Sequence, residues 1–186
     1  MRVRSLSPMF GEIIMNDPIT DIRSIQDKTR FQKVDIAWQH MEDSAYNFTS
    51  DVDYQREHVW TKEQRESFIG YVLSGGECPP LWVNVRTPNR ETSEVIDGKQ
   101  RITSALMWLN GEICGRLLDG REVWHKDLDE VSRRLMFMDC SFEIRLVDLD
   151  RKEILNLYLK LNSAGVPHTQ EELDKVKSLL EKEGED

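Results

Sequence analysis

The chain has little cysteine and no cysteine pair. Cys78, Cys114 and Cys140 are its three thiols, widely spaced and without a CxxC motif. An odd, scattered set excludes a disulfide framework and a zinc ribbon, and makes the reducing cytosol the natural compartment. No apolar run approaches the roughly twenty residues of a membrane span, so no membrane partner is expected. The opening MRVRSLSPMFGEIIM lacks the long apolar core of a signal peptide. Positive charge is also short: 25 Lys and Arg stand against 34 Asp and Glu, a formal net charge of −9. Proteins that grip nucleic acid by counterion release carry a basic footprint, so DNA is expected as a partner only weakly or indirectly. A local basic pocket for a small anion remains compatible with that balance. The GxxxxGK[ST] phosphate loop, HExxH and GxSxG are all missing. His40, His58, His125 and His168 fall at no metal-ligand spacing.

What is present suits one soluble domain. The 186 residues are 39% hydrophobic and 32% charged, enough for a sizeable core. Residues 1–30, interrupted by Pro8 and Pro18, read as a partly ordered lead-in, 31–180 as the domain and 181–186 as a charged tail. Residues 32–42 predict a short amphipathic helix through Val34, Ile36, Ala37 and Met41, and Thr49 to Gln55 an extended segment. Thr61 with Gln64 forms a capping box, opening a helix that stops at Gly75-Gly76. Leu81 to Val85 and Glu94-Val95-Ile96 read as strands. Ile102, Ala105, Leu106 and Leu109 recur at helical spacing up to Asn110-Gly111. Residues 112–126 suggest a small hairpin, and Asp127 the cap of a short helix. Ser141 to Leu149 alternates as a half-buried strand, with Phe142, Ile144 and Leu146 inward. Asp150 caps a helix ending at Asn162-Ser163-Ala164-Gly165, and Thr169 with Glu172 opens a last one. The mixed order makes the class α+β.

The strongest chemical signal is Val95-Ile96-Asp97-Gly98-Lys99-Gln100-Arg101, a buried strand running through a glycine turn into a helix. Glycine lets backbone approach a ligand closely. The first-turn amides and the helix dipole favour an anion. Lys99 and Arg101 add charge, and an arginine can fork two phosphate oxygens. Asp97 could hold magnesium directly or through water. The plainer reading, a simple Asp-Gly turn with solvated Lys99 and Arg101, fits the spacing equally well. A second signal is Asp53-Tyr54-Gln55-Arg56-Glu57-His58-Val59-Trp60. There Arg56 beside Gln55 and two aromatics could clamp an anion or a base, or simply pair with Asp53 or Glu57. Trp60 is expected in the core under the following helix. A third is Leu161-Asn162-Ser163-Ala164-Gly165, where Asn162 is either a helix C-terminal cap or an amide that supports the anion loop.

Together YQREHVW, GGECPPLWV, VIDGKQRITSAL and LYLKLNSAGVPHTQEEL resemble, in this order, the N-terminal domain of GmrSD-type restriction enzymes, within the ParB/sulfiredoxin-like superfamily. The resemblance spans about residues 50–175. It implies a ParB/sulfiredoxin-like α+β fold, a small mixed sheet flanked by helices, whose loop before a helix binds the phosphates of ATP, GTP or CTP with Mg2+. Many such relatives hydrolyse NTP. The family's DGQQR motif falls on Asp97, Gly98, Lys99, Gln100 and Arg101, with lysine replacing the first glutamine. The family's arginine of YQR falls on Arg56, and its asparagine before the glycine turn on Asn162. The resemblance thus makes Asp97 and Arg101 the candidate catalytic residues and Asp97 the magnesium ligand. Gly98, Lys99, Gln100, Arg101, Arg56, Gln55 and Asn162 become the nucleotide contacts. Asp97 and Glu94 are the candidates for a general base. GmrSD-type enzymes continue into an HNH-like nuclease domain, and no such motif stands in these residues. The expectation is therefore a stand-alone nucleotide-binding domain, an NTP hydrolase or phosphotransferase, acting with a protein partner or as a homo-oligomer. A ParB-like nuclease or DNA-binding module and a non-catalytic interaction domain are the alternatives. A place in bacterial defence, or in a phage that meets it, follows from the resemblance as well.

Overall fold

Leu81–Asn84 is buried at every position, which a strand reaches only when both faces of its sheet are covered. The computed structural model describes residues 30–41, 48–49, 52–54, 60–85, 93–163 and 170–183. In chain order it has β1 (Gln32–Ala37), β2 (Phe48–Thr49), α1 (Lys62–Leu73), β3 (Leu81–Asn84), β4 (Ser93–Asp97) and α2 (Lys99–Leu109). The short hairpin β5 (Gly115–Arg116) and β6 (Glu122–Val123) follows, then α3 (Glu130–Asp139), β7 (Ser141–Val147), α4 (Arg151–Ser163) and α5 (Gln170–Lys182). The main sheet runs β1-β7-β3-β4-β2. The β1–β7 and β3–β4 pairs are antiparallel, whereas β7–β3 and β4–β2 are parallel. This is the expected α+β class with a small mixed sheet flanked by helices.

Strand alternation divides the core in two. Leu81, Val83, Val95, Phe142, Ile144 and Leu146 join Trp38, Ile69 of α1 and Ala105 and Trp108 of α2 in one cluster. Trp82, Ile96 and Val147 face the other way, into a cluster with Leu155 and Tyr158 of α4 and Val176 of α5. Thus α2 and α4 lie on opposite sides of the sheet. Buried Asn84 fixes the turn into α4: its side-chain amide donates to the Leu149 carbonyl (3.3 Å), and its oxygen accepts from the Leu149 N–H (2.9 Å).

Most local signals operate as read. Thr61 Oγ1 accepts from Gln64 N–H (3.3 Å) while Gln64 Oε1 accepts from Thr61 N–H (2.9 Å), the reciprocal capping box. Helix α1 ends as predicted, with Gly75 N–H bonding Val72 O and Gly76 N–H bonding Tyr71 O. Asp150 and Glu153 form a second reciprocal box at α4 (both bonds 2.9 Å). The predicted hairpin is present as β5–β6, and Trp60 stacks edge-on against Phe68 of α1 (5.4 Å).

Two expectations fail, and a third holds only at its start: of the segment expected to be extended from Thr49, Thr49 closes β2 whereas Asp53 and Tyr54 form a turn. Residues 32–37 form strand β1 instead of the start of a helix, and only Trp38–His40 turn, as a short 3-10 segment. Val34 and Ile36 alternate with exposed Lys33 and Asp35, and six residues of pairing with β7 fix the extended form. The cap of α3 is Asp129, whose Oδ1 accepts from Ser132 N–H (2.7 Å), while Asp127 belongs to a preceding 3-10 turn. Residues 1–29 of the 1–30 lead-in, and the Thr169–Glu172 capping box, lie outside the described residues and side chains.

Candidate functional site

Regular pairing of β4 ends in a bulge. The register steps from Val83↔Val95 to Trp82↔Asp97, so Ile96 is extra on β4. Gly98 follows as the N-cap of α2, at φ 115° and ψ 3°. That backbone favours glycine, and a Cβ there would lie 2.2 Å from Leu81 Cδ2. The first α2 bond runs from Ile102 N–H to Gly98 O (3.0 Å). The amides of Lys99, Gln100 and Arg101 therefore have no acceptor within the helix, and no side chain of Gly98 can cap them.

Charge around this terminus is arranged by tertiary contacts. Arg101 Nη2 bonds Asp97 Oδ2 at 2.7 Å, with the arginine side chain 11% exposed. Its Nη1 donates to the carbonyls of Pro79 and Pro80. Arg101 thus ties the strand end to the segment entering β3, so its guanidinium is engaged by the protein itself. From the other side Arg65 of α1, itself buried, donates from Nη2 to Gln100 Oε1 at 2.9 Å. Burial lowers the Arg65 pKa from its usual value. Ser104 Oγ and Thr103 Oγ1 close onto the carbonyls of Gln100 (2.7 Å) and Lys99 (2.9 Å). Cys78 lies beside Arg101; burial raises its thiol pKa while the guanidinium opposes that rise.

The five residues Asp97 to Arg101 come together by chain continuity. Asn162 does not join them in this layer: it sits in the last turn of α4, across the sheet from α2, with Nδ2 donating to Tyr158 O (2.8 Å). Gln55, Arg56, His58 and His168 lie outside the described residues. Glu94 belongs to a separate group. It accepts from Tyr54 Oη at 2.6 Å and stands 3.8 Å from Arg151, whose guanidinium also pairs with Asp53 and lies over the Tyr54 ring. Burial, then the bond to Glu94, raises the Tyr54 pKa far above its usual value. Glu94 is thus held in a clasp on the α4 side, away from the loop that it was expected to serve as a base.

Sequence reasoning missed Arg65. The signal was its spacing: Arg65, Ile69 and Val72 fall at i, i+4 and i+7, so a cation occupies the inward stripe of α1. A wide cleft bordered by Tyr71, Pro79, Pro80, Leu117, Leu135 and Asp139 is not lined by residues 97–101.

The thiols of Cys78, Cys114 and Cys140 form no disulfide. Among the described residues no three His, Cys, Asp or Glu side chains group as a metal site, and no helix is long and apolar enough to cross a membrane. No curated protein matches the chain. A similar solved structure is the C-terminally truncated chromosome-partitioning protein ParB from Caulobacter crescentus, complexed with CTP-γ-S. It is 11% identical with a TM-score of 0.43, over 83% of this chain and 65% of that one. The model of the GmrSD restriction endonuclease N-terminal domain matches residues 39–180, and with that match, most of its length, the chain belongs to this family.

Proposed function

We propose that the chain binds a nucleoside triphosphate by its phosphates at the N-terminus of α2 and works on those phosphates. The observation that carries this reading is the cationic surround of one helix N-terminus. Lys99 opens the helix, buried Arg65 reaches its second residue, and Arg101 is balanced by Asp97. Backbone amides add a partial positive charge there, and glycine at the N-cap leaves the approach narrow in side-chain bulk. Phosphate oxygens are the ligand such a set complements, because they accept several hydrogen bonds while carrying charge.

Lys99 and the amides of residues 99–101 supply the binding contacts, and Gln100 adds a carboxamide. Arg101 acts as the latch that holds the loop, so its effect on binding is indirect. Magnesium fits as an ion that arrives with the nucleotide. Asp97 is a single carboxylate with one oxygen committed to Arg101, so it suits a magnesium-bound water better than a full coordination shell. When bound, the ion would neutralise phosphate charge. Asp97 is also the acid at the loop that could orient a water for phosphate transfer or hydrolysis.

Isothermal titration with ATP, GTP and CTP in magnesium, comparing the protein with Lys99→Ala, tests the site. Binding of at least one nucleotide, weakened roughly tenfold by the substitution, is expected for loss of one charge-assisted contact. No binding to any of the three would remove this reading in favour of a protein-interaction domain. Phosphate release measured on the nucleotide that binds then separates turnover from binding alone.

A further inference from the structure

We propose that Arg65 is a positioning residue that sets the Gln100 carboxamide as a hydrogen-bond donor toward the phosphate oxygens of the bound nucleotide; this rests on the reading of the α2 N-terminus given above. A guanidinium carries five N–H groups and no acceptor. Arg65 Nη2 lies 2.9 Å from the side chain of Gln100, so only the carboxamide oxygen can face it. The orientation of the amide follows from chemistry: its oxygen is held by Arg65 and its NH2 group is turned from the guanidinium. Gln100 is the second residue of α2, where the amides of the first helical turn also lack acceptors within the helix. One more donor at that point adds to a donor cluster.

The location of Arg65 supports the same conclusion. Arginine is seldom fully buried, and this one is 6% exposed. It also stands beside a helix N-terminus, the end that disfavours a cation. An anion at the terminus would be attracted by that charge, since charge and hydrogen bonds act strongly at low local dielectric.

The test uses the whole chain and two readouts, melting temperature and calorimetric affinity for ATP, GTP and CTP with magnesium. Gln100→Glu keeps an acceptor for Arg65, so its melting temperature holds, but it presents no donor and its affinity falls by roughly tenfold or more. Gln100→Met removes the donor without adding charge and loses affinity as well. Arg65→Lys retains more affinity than Arg65→Met, because a lysine can still donate to the carboxamide oxygen. Wild-type affinity in both Gln100 variants, with Lys99→Ala still impaired, overturns the inference and leaves the phosphate site standing. No nucleotide bound by the wild type overturns the site itself, and the inference with it. If the Gln100 variants fail to fold, the Arg65 pair decides: equal affinity in Arg65→Lys and Arg65→Met overturns the positioning role.

Discussion

The two ends of β4 each carry an acid and use it differently. At the C-terminal end Asp97 pairs with Arg101, four residues on and 2.7 Å away, a contact that the start of a helix makes almost by itself. At the N-terminal end Glu94 takes its hydrogen bond from Tyr54, forty residues earlier, and its nearby cation from Arg151. That clasp exists only once β4, α4 and the segment after β2 have met. The first device shapes a loop on the α2 side; the second holds the α4 side. The same chemical pair, carboxylate and guanidinium, therefore serves as local latch in one place and tertiary tie in the other.

Four experiments break or sharpen this contrast. Gly98→Ala has the largest effect. A side chain at positive φ would also run into Leu81, so a loss of about 3 kcal/mol is expected in urea denaturation. A loss well under 1 kcal/mol would show a loop that relaxes freely instead of a fixed latch. Arg101→Met comes next, at about 2 kcal/mol, since it strands Asp97 and releases the Pro79 and Pro80 carbonyls. Its nucleotide affinity should fall in parallel. Unchanged melting with lost affinity would instead make Arg101 a direct phosphate contact.

Tyr54→Phe removes one hydrogen bond from the clasp, about 1 kcal/mol, and leaves nucleotide affinity alone. Combined with Arg101→Met its cost should add to within about 0.5 kcal/mol; a larger coupling would merge the two ends into one site. The smallest effect concerns a third acid–arginine pair, Glu66 with Arg116 (2.8 Å), in which the acid is buried and the arginine exposed, and which is long-range like the clasp. Gly70 lets β5 approach α1 there, since a Cβ would lie 1.9 Å from Arg116 O. Burial pushes the Glu66 pKa up, but hydrogen bonds from Arg116 and Cys114 and the charges of Arg116 and Lys62 outweigh it, leaving it below the usual 4.5. A lowered folded value means that the ionised carboxylate stabilises the fold above about 4.5 and stops doing so as pH falls through the folded pKa. The stability gap between the wild type and Glu66→Gln should narrow from pH 7 toward pH 3. A constant gap would mean that the fold does not favour the charged form.

The parts readable from sequence are those closed by neighbours along the chain. The Thr61–Gln64 capping box and the Asp150 cap act on residues three apart, and each opens the helix assigned to it; that Glu153 completes a box with Asp150 was not read. The strand-glycine-helix passage at Asp97 to Arg101 was legible for the same reason. Residues 32–37 were not, because Val34, Ile36 and Ala37 suit a helix or a strand. The partner strand β7, more than a hundred residues away, decides between them. Arg101 shows a subtler limit. Its charge beside a glycine turn suggested a phosphate fork, but the carbonyls that engage it belong to Pro79 and Pro80.

The sequence by itself determined the α+β class, the helix starts and the position of the loop, because short-range hydrogen bonding and glycine geometry act within a few residues. Only the tertiary structure decided which side of the sheet each acid serves. It also brought Arg65 to Gln100 and turned Arg101 inward. Those outcomes depend on the order of strands in the sheet and on burial, where a guanidinium must take whatever acceptors the packed neighbours present.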